Sequence, residues 1–197
     1  MGRVFAPFEI GARLRIVPPG TPLATGSRID LAMAAGAFGS GEHETTRSCL
    51  ELLQSSVDPE NARVLDLGSG TGILSIAALK LGARSALCVD DDPDAVETCK
   101  LNCELNAVGG RVEHVCGTID RVVPGGFELV LANLYGDILL AAAAELLSRA
   151  SPRASVLLSG ILHEDNFDVI RRYRELGCSV VMNRRLEEFT TVLLRRG

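Results

Sequence analysis

Residues 66–72 read Asp-Leu-Gly-Ser-Gly-Thr-Gly, so Gly68, Gly70 and Gly72 alternate along a short turn. Glycines let a backbone bend tightly and let a ligand approach the peptide N–H groups without a Cβ in the way. A second group suits the same ligand. Asp90 follows Gly68 by 22 residues and closes an apolar run at 85–90. An acid at the tip of the neighbouring strand can accept hydrogen bonds from both hydroxyls of a ribose. Turn and acid together point to a bound nucleoside. The spacing is G-x-G-x-G, whereas a pyrophosphate-binding turn needs G-x-G-x-x-G, and position 73 is Ile. Nicotinamide chemistry is therefore disfavoured. Asp91 reads as a solvated acid; Asp92 and Asp94 read as first-turn acids facing a helix dipole.

Asn133 ends another apolar run, 127–133. An asparagine there can accept a hydrogen bond from an amine and turn the amine's lone pair toward a reacting centre. Its competing use is to cap the helix that follows. Tyr135 stands where it could wall an acceptor channel. The stretch AFGSGEHETTRSCLELL, residues 37–53, places Gly39 and Gly41 around Ser40 and opens a helix at Thr45 and Thr46. It reads as a lid or wall beside the ligand, or as a loop that caps a helix. His43 within it either reaches the site or stays in solvent. His114 lies inside a strand and reads as structural; His163 reads as a solvated residue opening a helix. Ser159 is a further polar group at a strand end. No Ser–His–Asp arrangement is suggested by order or spacing.

The elements that must hold these residues alternate along the chain. Apolar runs at 62–67, 85–90, 111–116, 127–133 and 154–159 read as strands, with helical periodicity at 72–82, 93–107, 136–149 and 163–176. A helix over 44–55 precedes them. Continuous apolar strands separated by helices predict a parallel sheet covered on both faces. Two closely spaced runs near the end, CSVVMNRR and EFTTVLLRR, predict an antiparallel hairpin. The expectation is an α/β fold: a doubly wound, mostly parallel seven-stranded sheet with helices on both faces. Residues 1–37, rich in Pro and Gly, read as a lead-in with short strands near 14–17 and 28–33, and 38–197 as the ligand-binding domain.

With 197 residues, 47% of them hydrophobic, the chain can bury a proper core, and with no Trp and two Tyr that core is aliphatic. A net charge of −5 lacks the basic footprint of a nucleic-acid binder. No apolar run is long enough to span a membrane. The six cysteines form no Cys-x-x-Cys pair and no His sits at ligand spacing from them, so spacing predicts no zinc site. Free thiols suit a reducing, cytoplasmic setting.

The Asp-x-Gly-x-Gly-x-Gly run followed by a strand-end Asp resembles the first two motifs of class I S-adenosylmethionine-dependent methyltransferases. The stretch AFGSGEHETT is similar to a signature of the ribosomal protein L11 methyltransferase (PrmA) family. That resemblance continues through VLDLGSGTGILSIAALKLGA, VDDDPDAVETCKLNCELNAV, LVLANLYGDIL and LLSGIL, roughly residues 28–165. It implies that Thr46, Gly68, Asp90 and Asn133 contact S-adenosylmethionine, that Phe38 and Gly39 lie near the same pocket, and that Gly70 and Gly72 complete the turn. Ser40 stands where the family carries Thr, and Asp91 where an aliphatic residue is usual. The implied reaction is methyl transfer to an amine of a protein, a lysine side chain or an N-terminus, with a ribosomal protein as the substrate. The family's separate N-terminal domain, which grips that substrate, has no counterpart in the short lead-in. Other readings are a methyltransferase for another protein, such as the electron-transfer flavoprotein, or for a small molecule, or a cofactor-binding module completed by a partner.

Overall fold

The computed structural model describes residues 5–22, 26–34 and 42–197. Three short strands, β1 (Phe8–Ile10), β2 (Leu14–Val17) and β3 (Ile29–Ala32), precede α1 (Glu44–Ser55). The main alternation follows: β4 (Arg63–Leu67), α2 (Ile73–Lys80), β5 (Ser85–Asp90), α3 (Pro93–Leu105), β6 (Val112–Cys116), β7 (Phe127–Asn133), α4 (Gly136–Arg149), β8 (Ala150–Leu162) and α5 (Asn166–Glu175). The chain ends in the hairpin β9 (Cys178–Arg185) and β10 (Phe189–Arg196).

The large sheet has the order β6-β5-β4-β7-β8-β10-β9. β4 to β8 pair parallel, and β10 runs antiparallel between β8 and β9. This is the doubly wound sheet with a terminal hairpin that the alternation predicts. Side chains on β4 sort by the two-residue period of a strand. Val64 packs in the cluster with α1, α2 and α3, and Leu65 and Leu67 in the one with α4 and α5. Burial on both faces explains why these strands read as unbroken apolar runs. Each fully buried aliphatic side chain contributes about 1.5–3 kcal/mol.

Three readings change. β8 extends beyond 154–159 in both directions: at its start Ser151, Pro152 and Arg153 carry no apolar signal, and at its end it runs on through the buried Ile161 to Leu162. β1 is a strand of three residues, too short for a periodicity to register. The last helix starts at Asn166, so His163 does not open it; its Nε2 lies 3.0 Å from the Phe189 carbonyl oxygen.

The small sheet, with β1 antiparallel and β3 parallel to β2, joins the same core. Ile10, Leu14, Ile16, Leu31 and Met33 are buried against α1 and α2. Two asparagines, Asn102 in α3 and Asn106 at its C-cap, tie this segment to that helix. Asn106 accepts from the Ala32 N–H (2.9 Å) and donates to the Ala32 carbonyl (2.7 Å). Asn102, fully buried, accepts from the Ala34 N–H (2.9 Å) and donates to the Thr71 carbonyl (2.9 Å). The glycine turn and the chain entering the 35–41 stretch are thereby fixed to one side chain. No helix among the described residues is long and apolar enough to cross a membrane.

Candidate functional site

β4 has β5 on one side and β7 on the other, so the winding direction of the sheet reverses between β4 and β7. A crevice opens beyond the carboxyl ends of strands at such a reversal. A cavity of about 260 Å³ lies there. Its floor is the glycine turn with Asp66, and its walls are the start of α1, the Asn133–Tyr135 segment and Phe189.

The turn is built as the spacing requires. Gly68, Gly70 and Gly72 have φ of +68°, +53° and +75°, a left-handed conformation that side chains rarely adopt. A Cβ on Gly68 would lie 2.4 Å from the Leu134 side chain, and one on Gly72 would lie 2.5 Å from Cys99 Sγ. The turn's amides, however, are not the groups it offers. Gly68 and Ser69 N–H both donate to the Val89 carbonyl, at 2.8 and 3.1 Å. Gly72 N–H donates to the Ser69 carbonyl (2.8 Å), and Gly70 N–H to Asp90 Oδ2 (2.7 Å). The sequence reading of free N–H groups facing the ligand is corrected accordingly. Among the described residues no bond to the Gly68 or Gly70 carbonyl is found, so the turn can offer these two oxygens as acceptors. These suit a cationic ligand that donates.

Asp90 ends β5, half-buried, and braces the turn from behind: besides Gly70 it accepts from the Asp92 N–H at 3.1 Å. A carboxylate has about four acceptor positions, so two remain for a diol. Asp91, in contrast, is exposed.

Asn133 ends β7 at the cavity wall, and its Nδ2 donates to Thr46 Oγ1 at 3.4 Å. It does not cap α4, whose N-cap position is Tyr135 with no side-chain bond. With the amide nitrogen so engaged, Oδ1 is the acceptor left for a second molecule. Thr46 is buried in the first turn of α1. His43 caps that helix, its Nδ1 near the Thr45 N–H and hydroxyl, and its ring meets Phe189 edge-on at 5.4 Å. Tyr135 lines the mouth and is 60% exposed.

Of the candidates, the structure brings Thr46, Gly68, Gly70 and Asn133 to the cavity, with Asp90 behind the turn. Gly72 starts α2 and packs away from the cavity against Cys99. Phe38 and Gly39 lie outside the described residues. Ser159 is buried and bonded to the Thr191 hydroxyl (2.7 Å), so it serves the sheet.

Sequence reasoning missed three contributors. Phe189 and Glu44 meet only in the fold: the Glu44 carboxylate accepts the N–H groups of Glu187, Glu188 and Phe189 at 2.8–3.1 Å. Burial of that carboxylate opposes ionisation, but the three donors outweigh it and hold its pKa below the ordinary value. The hairpin turn is thereby clamped onto α1 as a cavity wall.

Asp66 is the third. It is 2% exposed, and Oδ2 accepts from the Ser75 hydroxyl (2.8 Å) and N–H (3.2 Å). Burial raises its pKa from 3.8 to about 7, against the opposing effect of the Ser75 bonds. In the unfolded chain the group ionises near 3.8, so its contribution to stability is full below that pH and is lost as pH rises through about 7. Asp66→Asn is expected to flatten the pH dependence of urea unfolding across this window; an unchanged slope would show that Asp66 is not the titrating group. The Asp-x-Gly spacing was the available signal for this residue, but nothing in it distinguishes a pocket carboxyl from a buried structural one.

Comparison with known proteins gives a consistent result. A family model described as ribosomal protein L11 methyltransferase (PrmA) matches residues 2–196. A ribosomal protein L11 methyltransferase of Geobacter sulfurreducens is 39% identical over 193 residues, covering 97% of this chain and 63% of that protein. One from Pelobacter propionicus is 43% identical over 170 residues, covering 81% of this chain and 53% of that protein. The chain thus spans between about half and two-thirds of the length of these curated relatives. A crystal structure titled ribosomal protein L11 methylase, from Lactobacillus delbrueckii subsp. bulgaricus, superposes with a TM-score of 0.88. It is 24% identical and covers 99% of this chain and 100% of that one, a likeness of fold.

Proposed function

Because the chain belongs to the ribosomal protein L11 methyltransferase (PrmA) family, whose members are class I S-adenosylmethionine-dependent methyltransferases, we propose that it methylates an amine of a protein, with a ribosomal protein as the substrate. The observation that carries this reading is the cavity at the sheet's reversal, lined by Gly68 and Gly70 of the glycine turn and by Asn133, whose amide nitrogen bonds Thr46.

The residues present fit the cofactor. Its α-ammonium group is a donor, and the Gly68 and Gly70 carbonyls are acceptors. Its ribose diol suits the two acceptor positions left on Asp90, along the rim beside Gly70. A cavity of about 260 Å³ suits the methionyl and sulfonium half, with the adenosine on that rim. When bound, S-adenosylmethionine supplies a methyl group on a positively charged sulfur that already has a good leaving group.

What remains for the protein is alignment and shielding. Asn133 Oδ1 accepts an N–H of the incoming amine and fixes the direction of its lone pair. Tyr135 walls the approach. A lysine amine, with a solution pKa of about 10.4, must shed its proton, and a partly dry mouth lowers that value. We assign no dedicated base for this step among the described residues, so the proton leaves to water.

Incubation of the chain with labelled S-adenosylmethionine and a protein extract, including isolated ribosomal subunits, tests the reading. Label on a lysine or N-terminal amine of a ribosomal protein supports it. Label on a small molecule alone would replace the substrate class, and tight cofactor binding with no transfer would identify a module that needs a partner.

A further inference from the structure

Outside the pocket, the fold gathers a second set of reactive side chains. β5 and β6 pair in parallel with Cys88 opposite His114, so both side chains leave the same face of the sheet. α3 covers that face, and its Cys99 joins Cys88 in one packed cluster. One ligand atom from each of Cys88, Cys99 and His114 lies within 4.8 Å of the others. Cys103, buried, lies one helical turn beyond Cys99 on the same face of α3.

Buried cysteines alone are ordinary small apolar packing. The imidazole changes the account: His114 Nδ1 is buried and has no hydrogen-bond partner among the described residues. A buried polar atom without a partner is destabilising, and lone-pair donation to a metal would remove that cost.

We propose that Cys88, Cys99 and His114, with Cys103 as the fourth donor, form a structural site for a soft, thiolate-preferring ion such as Zn²⁺. Sulfur with imidazole nitrogen is the donor set that selects this ion over hard cations. Tetrahedral zinc, with Zn–S near 2.3 Å and Zn–N near 2.0 Å, places its ligand atoms about 3.5–3.8 Å apart, so the three donors already within 4.8 Å of one another close by small side-chain shifts, and Cys103 must turn toward them to complete the four. The thiols release their protons to solvent on binding. The Cys88 S–H now donates to the Ser75 hydroxyl at 3.3 Å, which in turn donates to Asp66, and ion binding would replace that S–H bond. His114 is only half-buried and lies on β6, an edge strand, which gives the ion a way in. Spacing along the chain could not show the site, because its donors come from two strands and the helix between them. An ion here would pin α3 to β5 and β6 directly behind the glycine turn, where Cys99 Sγ abuts Gly72.

The test uses the purified chain, reduced and stripped by a chelator, titrated with Zn²⁺ in competition with a chromophoric chelator and separately with Co²⁺. The expected result is one equivalent bound, a rise in unfolding temperature, and a Co²⁺ spectrum with thiolate charge-transfer bands and intense tetrahedral d–d bands. His114→Gln, folded by circular dichroism, should weaken Zn²⁺ at least about tenfold, while Cys116→Ser, at an exposed thiol, should change nothing. Failure to bind micromolar Zn²⁺, or equal binding by wild type and His114→Gln, overturns the proposal. None of these readings depends on methyl transfer.

Discussion

Replacing Asn133 with alanine is expected to lower the rate of methyl transfer roughly a hundredfold or more while leaving the dissociation constant for S-adenosylmethionine within a few-fold. The expectation follows from what each half of the amide does. Nδ2 is taken by Thr46 at 3.4 Å, a long bond whose loss is small. Oδ1 is the group that would hold the incoming amine. Removing an interaction made to the acceptor lowers turnover and spares cofactor binding. Thr46→Val separates this from a purely structural role. If Asn133 only steadied α1, the valine variant would lose as much turnover as the alanine one; here it should retain most. Steady-state kinetics on both variants, with calorimetric cofactor titrations, decides between the two.

The second large effect is expected at Asp90. Asp90→Ala removes the acceptor of the Gly70 N–H at 2.7 Å as well as both positions offered to the ribose diol. Hydrogen bonds to a charged group are worth about 1.5–3 kcal/mol each, so cofactor affinity should fall at least roughly a hundredfold. Asp91→Ala, at the exposed neighbour, should leave it unchanged. Unaltered affinity in Asp90→Ala would remove that residue from the site. Loss of affinity in both variants would point instead to a general effect of acidic charge.

Much of this was legible before any coordinates. Strand–helix alternation and buried apolar runs identified the parallel sheet, and the closely spaced final runs identified the hairpin. The helix over 44–55 and the one over 136–149 have the bounds that periodicity assigned. What escaped was of two kinds. Polar or exposed strand residues such as 151–153 carry no apolar signal, since they lie outside the core that creates it. Long-range polar clamps carry none either. Glu44 reaches the backbone of residues 187–189, and Asn102 joins Thr71 to Ala34, across distances at which no spacing rule operates.

The glycine turn shows a subtler gap. Its composition revealed the conformation, with all three φ positive, but not which polar groups would face outward. The Gly68, Ser69, Gly70 and Gly72 amides are taken by Val89, Ser69 and Asp90, which suits the turn to a ligand that donates where the sequence suggested one that accepts. The correction favours a ligand with an ammonium group over a phosphate, the same choice that Ile73 makes from the spacing.

The account rests on where the nucleoside sits, and a crystal structure of the chain soaked with S-adenosylmethionine tests that most directly. The predicted result is ribose hydroxyls on Asp90, the α-ammonium group on the Gly68 and Gly70 carbonyls, and the sulfonium methyl directed toward Asn133. A nucleoside bound elsewhere, for example in the groove of Phe167, Ile170 and Val180 between α5 and β9, with the switch-point cavity left free, would contradict it.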